Sequence, residues 1–229
     1  MEEQKREKAL DAWIEEYRQF SSVPYGNLPD IELYMDQLVG YLHKMLRLQE
    51  KSDDAPLLTA SMVNNYVKDG YIARPEKKRY TCEHLATLYM LCAAKRELSV
   101  PEASALLAML REFSSLDALY STFIARQREI AKELSVPLTG ESLPGDEALL
   151  MLALEYTLRA CGERLVAERI LSHLAEKKQA EREEAEKTRK AHEDAEKAAK
   201  KSEKDMSNKE KSDKERSADT KKTEQDKDL

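Results

Sequence analysis

Between Thr59 and Arg79 the chain gathers side chains suited to recognising a nucleic acid. Ser61, Asn64, Asn65 and Lys68 recur at three- and four-residue spacing, which puts them on one face of a helix. An asparagine amide can read an adenine edge with two hydrogen bonds, and hydroxyls and lysines can take phosphates. The plainer reading of Asn64 and Asn65 is a solvated helix face. Further on, Arg74, Lys77, Lys78 and Arg79 crowd a segment too charged to bury and too short for a domain loop. From Lys68 to Arg79 five residues are basic and two acidic, a local excess of positive charge in an otherwise acidic folded part.

Those residues need elements to hold them. Thr59 stands just before the apolar run, where its hydroxyl can accept a backbone N–H and start a helix. Met62, Val63, Tyr66 and Val67 then share a face opposite the polar one. Gly70 falls where a helix ends in a left-handed residue. Tyr71 and Ile72 follow and can return to the core. Pro75 holds Arg74 extended, so the basic segment to Tyr80 predicts a small hairpin, or wing. Thr81 caps a second helix carrying Leu85, Leu88, Tyr89, Leu91 and Cys92. Ser99 and Glu102 have the spacing of a capping box, which opens a third helix bearing Ala105, Leu106, Met109 and Leu110.

This order of a capped short helix with Asn64-Asn-Tyr-Val-Lys-Asp-Gly-Tyr-Ile72, a proline, a basic Lys77-Lys-Arg-Tyr80 turn and a Leu-rich helix resembles the MerR-type winged helix-turn-helix. The wider stretch from Leu28-Pro-Asp-Ile-Glu-Leu-Tyr-Met-Asp-Gln37 through Leu110 resembles more closely a bacterial family, domain of unknown function 1836 (DUF1836), over roughly residues 28–135. That family is itself similar to MerR-like DNA-binding domains and has no assigned activity. The resemblance implies a sequence-specific DNA-binding transcriptional regulator. In it Thr59, Ser61, Asn64, Asn65 and Lys68 would face the major groove of double-stranded DNA, and Arg74, Lys77, Lys78 and Arg79 would hold the backbone. It also implies a homodimer through a helix after the DNA-binding domain, for which residues 146–174 qualify. The chain departs from the MerR pattern before Thr59: in place of a short first helix and tight turn, Lys51 to Pro56 reads as a polar linker after a long helix.

The rest of the chain predicts an all-α protein. It has only six Gly and seven Pro in 229 residues, and most Pro fall at helix starts or breaks. Residues 2–20 form an amphipathic helix with Leu10, Trp13, Ile14 and Tyr17 inward and Trp13 as a packing anchor. Asn27 caps the next helix, with Pro29 and Asp30 in its first turn and Ile31, Tyr34, Leu38, Tyr41, Leu42, Met45 and Leu46 as its stripe. Ser114 or Ser115 caps a helix over about 116–134 whose face is Leu116, Leu119, Tyr120, Phe123 and Ile130. A loop from Ser135 to Gly145 leads to a helix from about Asp146, with Leu149, Leu152, Ala153, Tyr156, Cys161, Leu165, Val166, Ile170 and Leu174. That helix either closes the core or pairs with a second copy as a coiled coil. After Leu174 no Leu, Ile, Val, Phe, Tyr or Trp occurs until Leu229, and the two charge signs are equal at seventeen each, so no core forms there. Charge pairs such as Glu183–Lys187 and Glu193–Lys197 support a solvated helix to about Ala199, with disorder expected beyond Lys201.

The expected organisation is therefore an N-terminal helix and loop (1–26), a winged-helix-like domain with flanking helices (27–135), a C-terminal helix (136–174) and a charged low-complexity tail (175–229). The net charge of −6 argues against indiscriminate nucleic-acid binding but leaves room for one basic face. Three cysteines, sparse and odd in number, suit a reducing cytoplasm. No apolar signal opens the chain and no apolar run reaches membrane length.

Catalytic and metal chemistry find no support in the residues. Cys82, His84 and Cys92 lack zinc-site spacing, Cys82 and Cys92 point in different directions on a helix, and the two read as buried apolar cysteines. His43, His84, His173 and His192 are isolated from any nucleophile motif, no Gly-rich phosphate loop occurs, and acidic residues are scattered along helix faces. No enzyme activity and no cofactor are expected. The alternative to a DNA-binding regulator is a non-catalytic protein–protein interaction module that keeps the winged scaffold; the acidic net charge and the departure before Thr59 favour it. Small-molecule sensing through the 116–174 helices is a third reading, for which no polar cluster there nominates a ligand.

Overall fold

The computed structural model of the chain describes residues 2–49, 56–139 and 144–225. It contains seven α-helices among the described residues: α1 (Glu2–Arg18), α2 (Met35–Leu46), α3 (Ala60–Lys68), α4 (Cys82–Ala94), α5 (Val100–Leu110), α6 (Leu116–Ser135) and α7 (Asp146–Gln225). Among them β pairing is confined to two isolated bridges, Leu33 with Tyr80 and Glu76 with Arg79. The all-α class follows. The chain divides into two units, Met1–Leu171 and Ser172–Leu229, with α7 contributing to both. The expected linker over Lys51–Pro56 lies outside the described residues except for Pro56.

In the first unit the core is built around α4. Leu85, Ala86 and the run Leu88–Cys92 are all buried, so this helix is enclosed on nearly every side. Around it lie Leu38, Leu42, Met45 and Leu46 of α2, Ala103 and Leu107 of α5, and Leu116, Leu119 and Tyr120 of α6. Tyr89 meets Tyr120 edge-on at 5.8 Å and donates its hydroxyl proton to Gln127 at 2.8 Å. Tyr120 in turn donates to the Val23 carbonyl at 2.8 Å. Buried hydroxyls would be costly without such acceptors.

Caps within three residues form as the local sequence dictates. The Ser99 N–H donates to Glu102 at 2.9 Å, and Ser115 Oγ accepts from the Ala118 N–H at 3.2 Å. Several faces and boundaries differ from the expectation. α2 begins at Met35, not near Asn27. Asn27 instead closes a single 3-10 turn with Tyr25. The reason is that Leu28, preceding Pro29, is held extended (φ −64°, ψ 150°), and Leu33 then exchanges both backbone hydrogen bonds with Tyr80 at 2.8 Å. Tyr34 becomes the cap, its N–H donating to Gln37 at 2.9 Å, and Ile31 and Tyr34 stay exposed.

Trp13 is not a core anchor. Ile14 is buried, while Trp13 is 46% exposed and stacks on Tyr17 with centroids 5.2 Å apart. α5 buries Ala103 and Leu107, not the expected Ala105, Leu106, Met109 and Leu110, because a helix apolar on most sides leaves the choice of face to its neighbours. Ile130 of α6 is likewise exposed, and Ala131 is buried in its place.

In the second unit the expected disorder beyond Lys201 is replaced by helix to Gln225. No Gly or Pro follows Gly162, so nothing in the chain breaks the helix. Its polar surface is laced at i,i+4 spacing by Gln179–Glu183 and Glu186–Lys190 and by the expected Glu193–Lys197 pair at 2.7 Å.

Candidate nucleic-acid interface

The short helix α3 is fixed at both ends and along its buried face. Thr59 Oγ1 accepts the Met62 N–H at 3.2 Å, so this hydroxyl caps the helix. At the other end Gly70 adopts φ +79°, and the Tyr71 N–H returns to the Tyr66 carbonyl at 2.8 Å. The Gly70 N–H reaches the Val67 carbonyl at 3.3 Å, which completes a Schellman closure. Val63 and Tyr66 are buried, and Ile72 beyond the turn is buried as well. Lys95, just past α4, clamps this face: its Nζ donates to the Tyr66 hydroxyl at 3.3 Å and to the Leu57 carbonyl, and lies 5.9 Å from the Tyr66 ring centroid.

With that face occupied, Ser61, Asn64, Asn65 and Lys68 are left exposed on the opposite one, as their spacing predicted. Thr59 is half-buried and differs from them, because its hydroxyl oxygen is already used by the cap.

The basic segment folds into a hairpin. Glu76 and Arg79 form the closing bridge, the Arg79 N–H donating to the Glu76 carbonyl at 2.8 Å. Lys77 and Lys78 occupy the two tip positions with φ +46° and +64°. Both angles lie in the left-handed region that a type I′ turn demands and that Asn-Gly fills most readily. Two lysines there cost about 1–2 kcal/mol each in backbone strain. The base of the hairpin is held by buried Tyr80, whose backbone pairs with Leu33 ahead of α2. The hairpin is therefore tied to the segment that enters α2, and α3 reaches it through the Gly70 turn.

The cations are not equivalent. Lys68, Arg74, Lys77 and Lys78 are exposed and have no ion-pair partner among the described residues. Arg79 bonds to Glu32 at 2.9 Å, both groups close to half exposed, so part of its charge is already answered. Glu32, Leu33 and Lys95 shape this surface and carry no signal in the local sequence. Their partners lie far along the chain; Arg79 and Glu32 are 47 residues apart.

Elsewhere in the first unit, α7 touches α6 through Tyr156, which donates to the Leu134 carbonyl at 2.6 Å, and through Arg159, which pairs with Glu133 at 3.3 Å. Leu150, Met151, Leu154, Leu158, Leu165 and Val166 remain 51–71% exposed, and Cys161 among them is exposed. Cys92 is buried and Cys82 half-buried. No group of three His, Cys, Asp or Glu among the described residues can hold a metal ion, and no helix there is long and apolar enough to cross a membrane.

No curated protein and no solved structure matches the chain. The matched family segment opens just before the Tyr25 turn and closes within α6, so it contains α2 to α5, the hairpin and the Leu33–Tyr80 bridge. By sequence, residues 23–123 match the model of the family described as Domain of unknown function (DUF1836).

Proposed function

We propose that this protein is a sequence-specific DNA-binding transcriptional regulator of MerR-like type, acting in the cytoplasm as a homodimer on double-stranded DNA. The observation that carries the reading is the Lys77–Lys78 hairpin tip. Its backbone is strained, its two cations have no ion-pair partner among the described residues, and it follows on a helix whose exposed face is Ser61, Asn64, Asn65 and Lys68. A turn kept at a cost in stability points to a use for its side chains. The order α2, α3, hairpin, with the hairpin strapped to the chain ahead of α2, supports the reading as a winged helix-turn-helix.

In this reading α3 enters the major groove, where Asn64 and Asn65 read base edges. Lys68, Arg74, Lys77 and Lys78 bind phosphates on either side, with Arg79 as a weaker contributor because of Glu32. The uncovered apolar face of α7 supports pairing with a second copy, since a face of that kind on a soluble helix is costly to leave in water.

The test is a duplex pull-down from genomic fragments at two salt concentrations, with Lys77→Glu/Lys78→Glu as the variant. We expect the wild type to enrich a defined fragment and to lose it as salt rises. The variant should lose binding while its helical circular dichroism is unchanged. Unaltered binding by the variant would sink the reading.

A second reading, a non-catalytic interaction protein on the same scaffold, is favoured by Glu32 beside the hairpin and by the net charge of −6. It is the outcome if the protein scatters light as a monomer and enriches no duplex.

A further inference from the structure

Thr81 opens α4 with a capping box whose acceptor side chain is a histidine. The Thr81 N–H donates to His84 Nδ1 at 3.1 Å, and the Thr81 hydroxyl meets the same nitrogen at 2.9 Å. A capping box ordinarily has Glu or Gln at this place, since either supplies an oxygen acceptor. The boxes that open α2 and α5 follow that rule, with Gln37 and Glu102. Histidine serves only while Nδ1 keeps its lone pair, so the neutral ring carries its proton on Nε2. Nε2 is buried on the other side of the ring, against the backbone of Ala73. Ala73 belongs to the incoming leg of the hairpin, and Thr81 follows its outgoing leg. The ring also stands edge-on to Tyr80, with centroids 5.4 Å apart and planes at 84°. Tyr80 is the residue whose backbone exchanges hydrogen bonds with Leu33. One imidazole therefore touches both legs of the hairpin at its base.

Two effects compete over a second proton on this ring. Burial opposes the charged form, while the Ala73 backbone and the Glu83 carboxylate favour it; burial wins, and the His84 pKa lies below the ordinary 6.5. Glu83 precedes the ring on α4 and is exposed, and Arg111 at the end of α5 lines the same hollow. α6 brings Leu116 and Leu119 to that hollow, and the Gly70 turn brings Tyr71. The hairpin's own charges at Arg74, Glu76, Lys77, Lys78 and Arg79 are exposed, and Glu32 ahead of α2 is engaged by Arg79. A second proton has one place to go, which is Nδ1. There the acceptor of the Thr81 N–H becomes a donor facing a donor, and the bond is lost.

We propose that His84 is a proton-operated tie at the base of the hairpin: neutral, it fastens the outgoing leg to α4, and protonated, it lets go, so the hairpin loosens in acid while the rest of the core stays closed. Histidine is the side chain that titrates nearest neutrality, and a glutamine in its place would hold the same bond at every pH. Opening returns the ring to its ordinary pKa, so below pH 6.5 each opening takes up protons and acid favours it. His84 is thus a positioning residue for Lys77 and Lys78 whose hold depends on pH. The consequence for DNA, weaker binding in acid, rests on the function proposed above. The loosening is read on the protein alone, so its failure and the failure of DNA binding are separate results.

The experiment follows the full chain by 15N-imidazole NMR and by amide hydrogen exchange, from neutral pH down to about pH 5. The His84 ring should be the Nε2–H tautomer at neutral pH and should titrate below 6.5. Protection factors at the hairpin amides of Leu33, Arg79, Tyr80 and Thr81 should fall by about tenfold over that range, and by more than those of Leu42 and Leu88 in the core. His84→Gln should keep the neutral-pH protection and lose the acid dependence. His84→Ala, which has no acceptor, should lower protection at neutral pH already. An Nδ1–H tautomer, hairpin amides that only keep pace with the core in acid, or His84→Gln losing protection as steeply as the wild type would each overturn the proposal. The first two are measured on the wild type, so they decide the matter even where a variant fails to fold.

Discussion

Lys77 and Lys78 show how much a single backbone angle can say. Both sit at positive φ, where the side chains are a burden to the turn. Replacing them by the pair the turn prefers, Lys77→Asn with Lys78→Gly, should stabilise the protein by about 1–2 kcal/mol in a urea midpoint. The same variant should bind duplex DNA more weakly, because it loses two phosphate-binding cations. A variant that is more stable and binds equally well would detach the lysines from DNA. Tyrosines make the second residue-scale case. Burial pushes the Tyr25 and Tyr120 hydroxyls up to about 12, above their ordinary value of 10.0. Folding therefore favours the neutral phenols. Their contribution is fully present below pH 10 and is lost as pH rises from there towards 12. Tyr120→Phe removes the bond to the Val23 carbonyl and should cost about 1 kcal/mol at neutral pH, while reducing the loss of stability above pH 10. His84 runs the other way. Its pKa lies below the ordinary 6.5 in the folded chain, so the unfolded chain binds more protons as pH falls through 6.5. Stability should decline on acidification from that point, and thermal melts of His84→Gln should decline less steeply.

At the scale of elements, α4 and α7 are opposites. α4 is buried on nearly every side and has little choice of environment, whereas much of the first half of α7 is apolar and faces solvent. If a second copy covers α7, Leu154→Lys with Leu158→Lys should convert a dimer to a monomer in light scattering and leave helicity unchanged. Two exposed leucines on a helix that served only its own chain would tolerate the change with no effect on mass. The hold of Lys95 on α3 is also an element-scale device. Lys95→Met keeps the apolar stem but removes the donor to Tyr66 and to the Leu57 carbonyl, and should loosen α3 first. Hydrogen exchange at Val63 and Tyr66 should rise more than exchange in α4.

At the scale of the whole molecule, the hydrophobic cluster runs from Leu28 to Tyr120 and lies wholly within the first unit. Among its described side chains the second unit buries no apolar cluster, and its helix is held by i,i+4 pairs of small individual worth. Deleting residues 176–229 should therefore leave the calorimetric midpoint of the remaining chain within a degree or two. What the sequence determined by itself was local: the Thr59 and Ser99 caps, the Gly70 stop, the exposed stripe from Ser61 to Lys68 and the all-α class. Each rests on residues within a turn or two of one another, where propensity and hydrogen-bond geometry act without help from the rest of the fold. Only the tertiary structure decided which face of α5 is buried, that Trp13 stays outside, that Leu33 pairs with Tyr80 and so delays α2, that Glu32 takes Arg79, and that the His84 Nε2 ends buried near Ala73. Those outcomes depend on partners far along the chain. Helices apolar on most sides, such as α4 and α5, hold no local contrast from which their neighbours can be read.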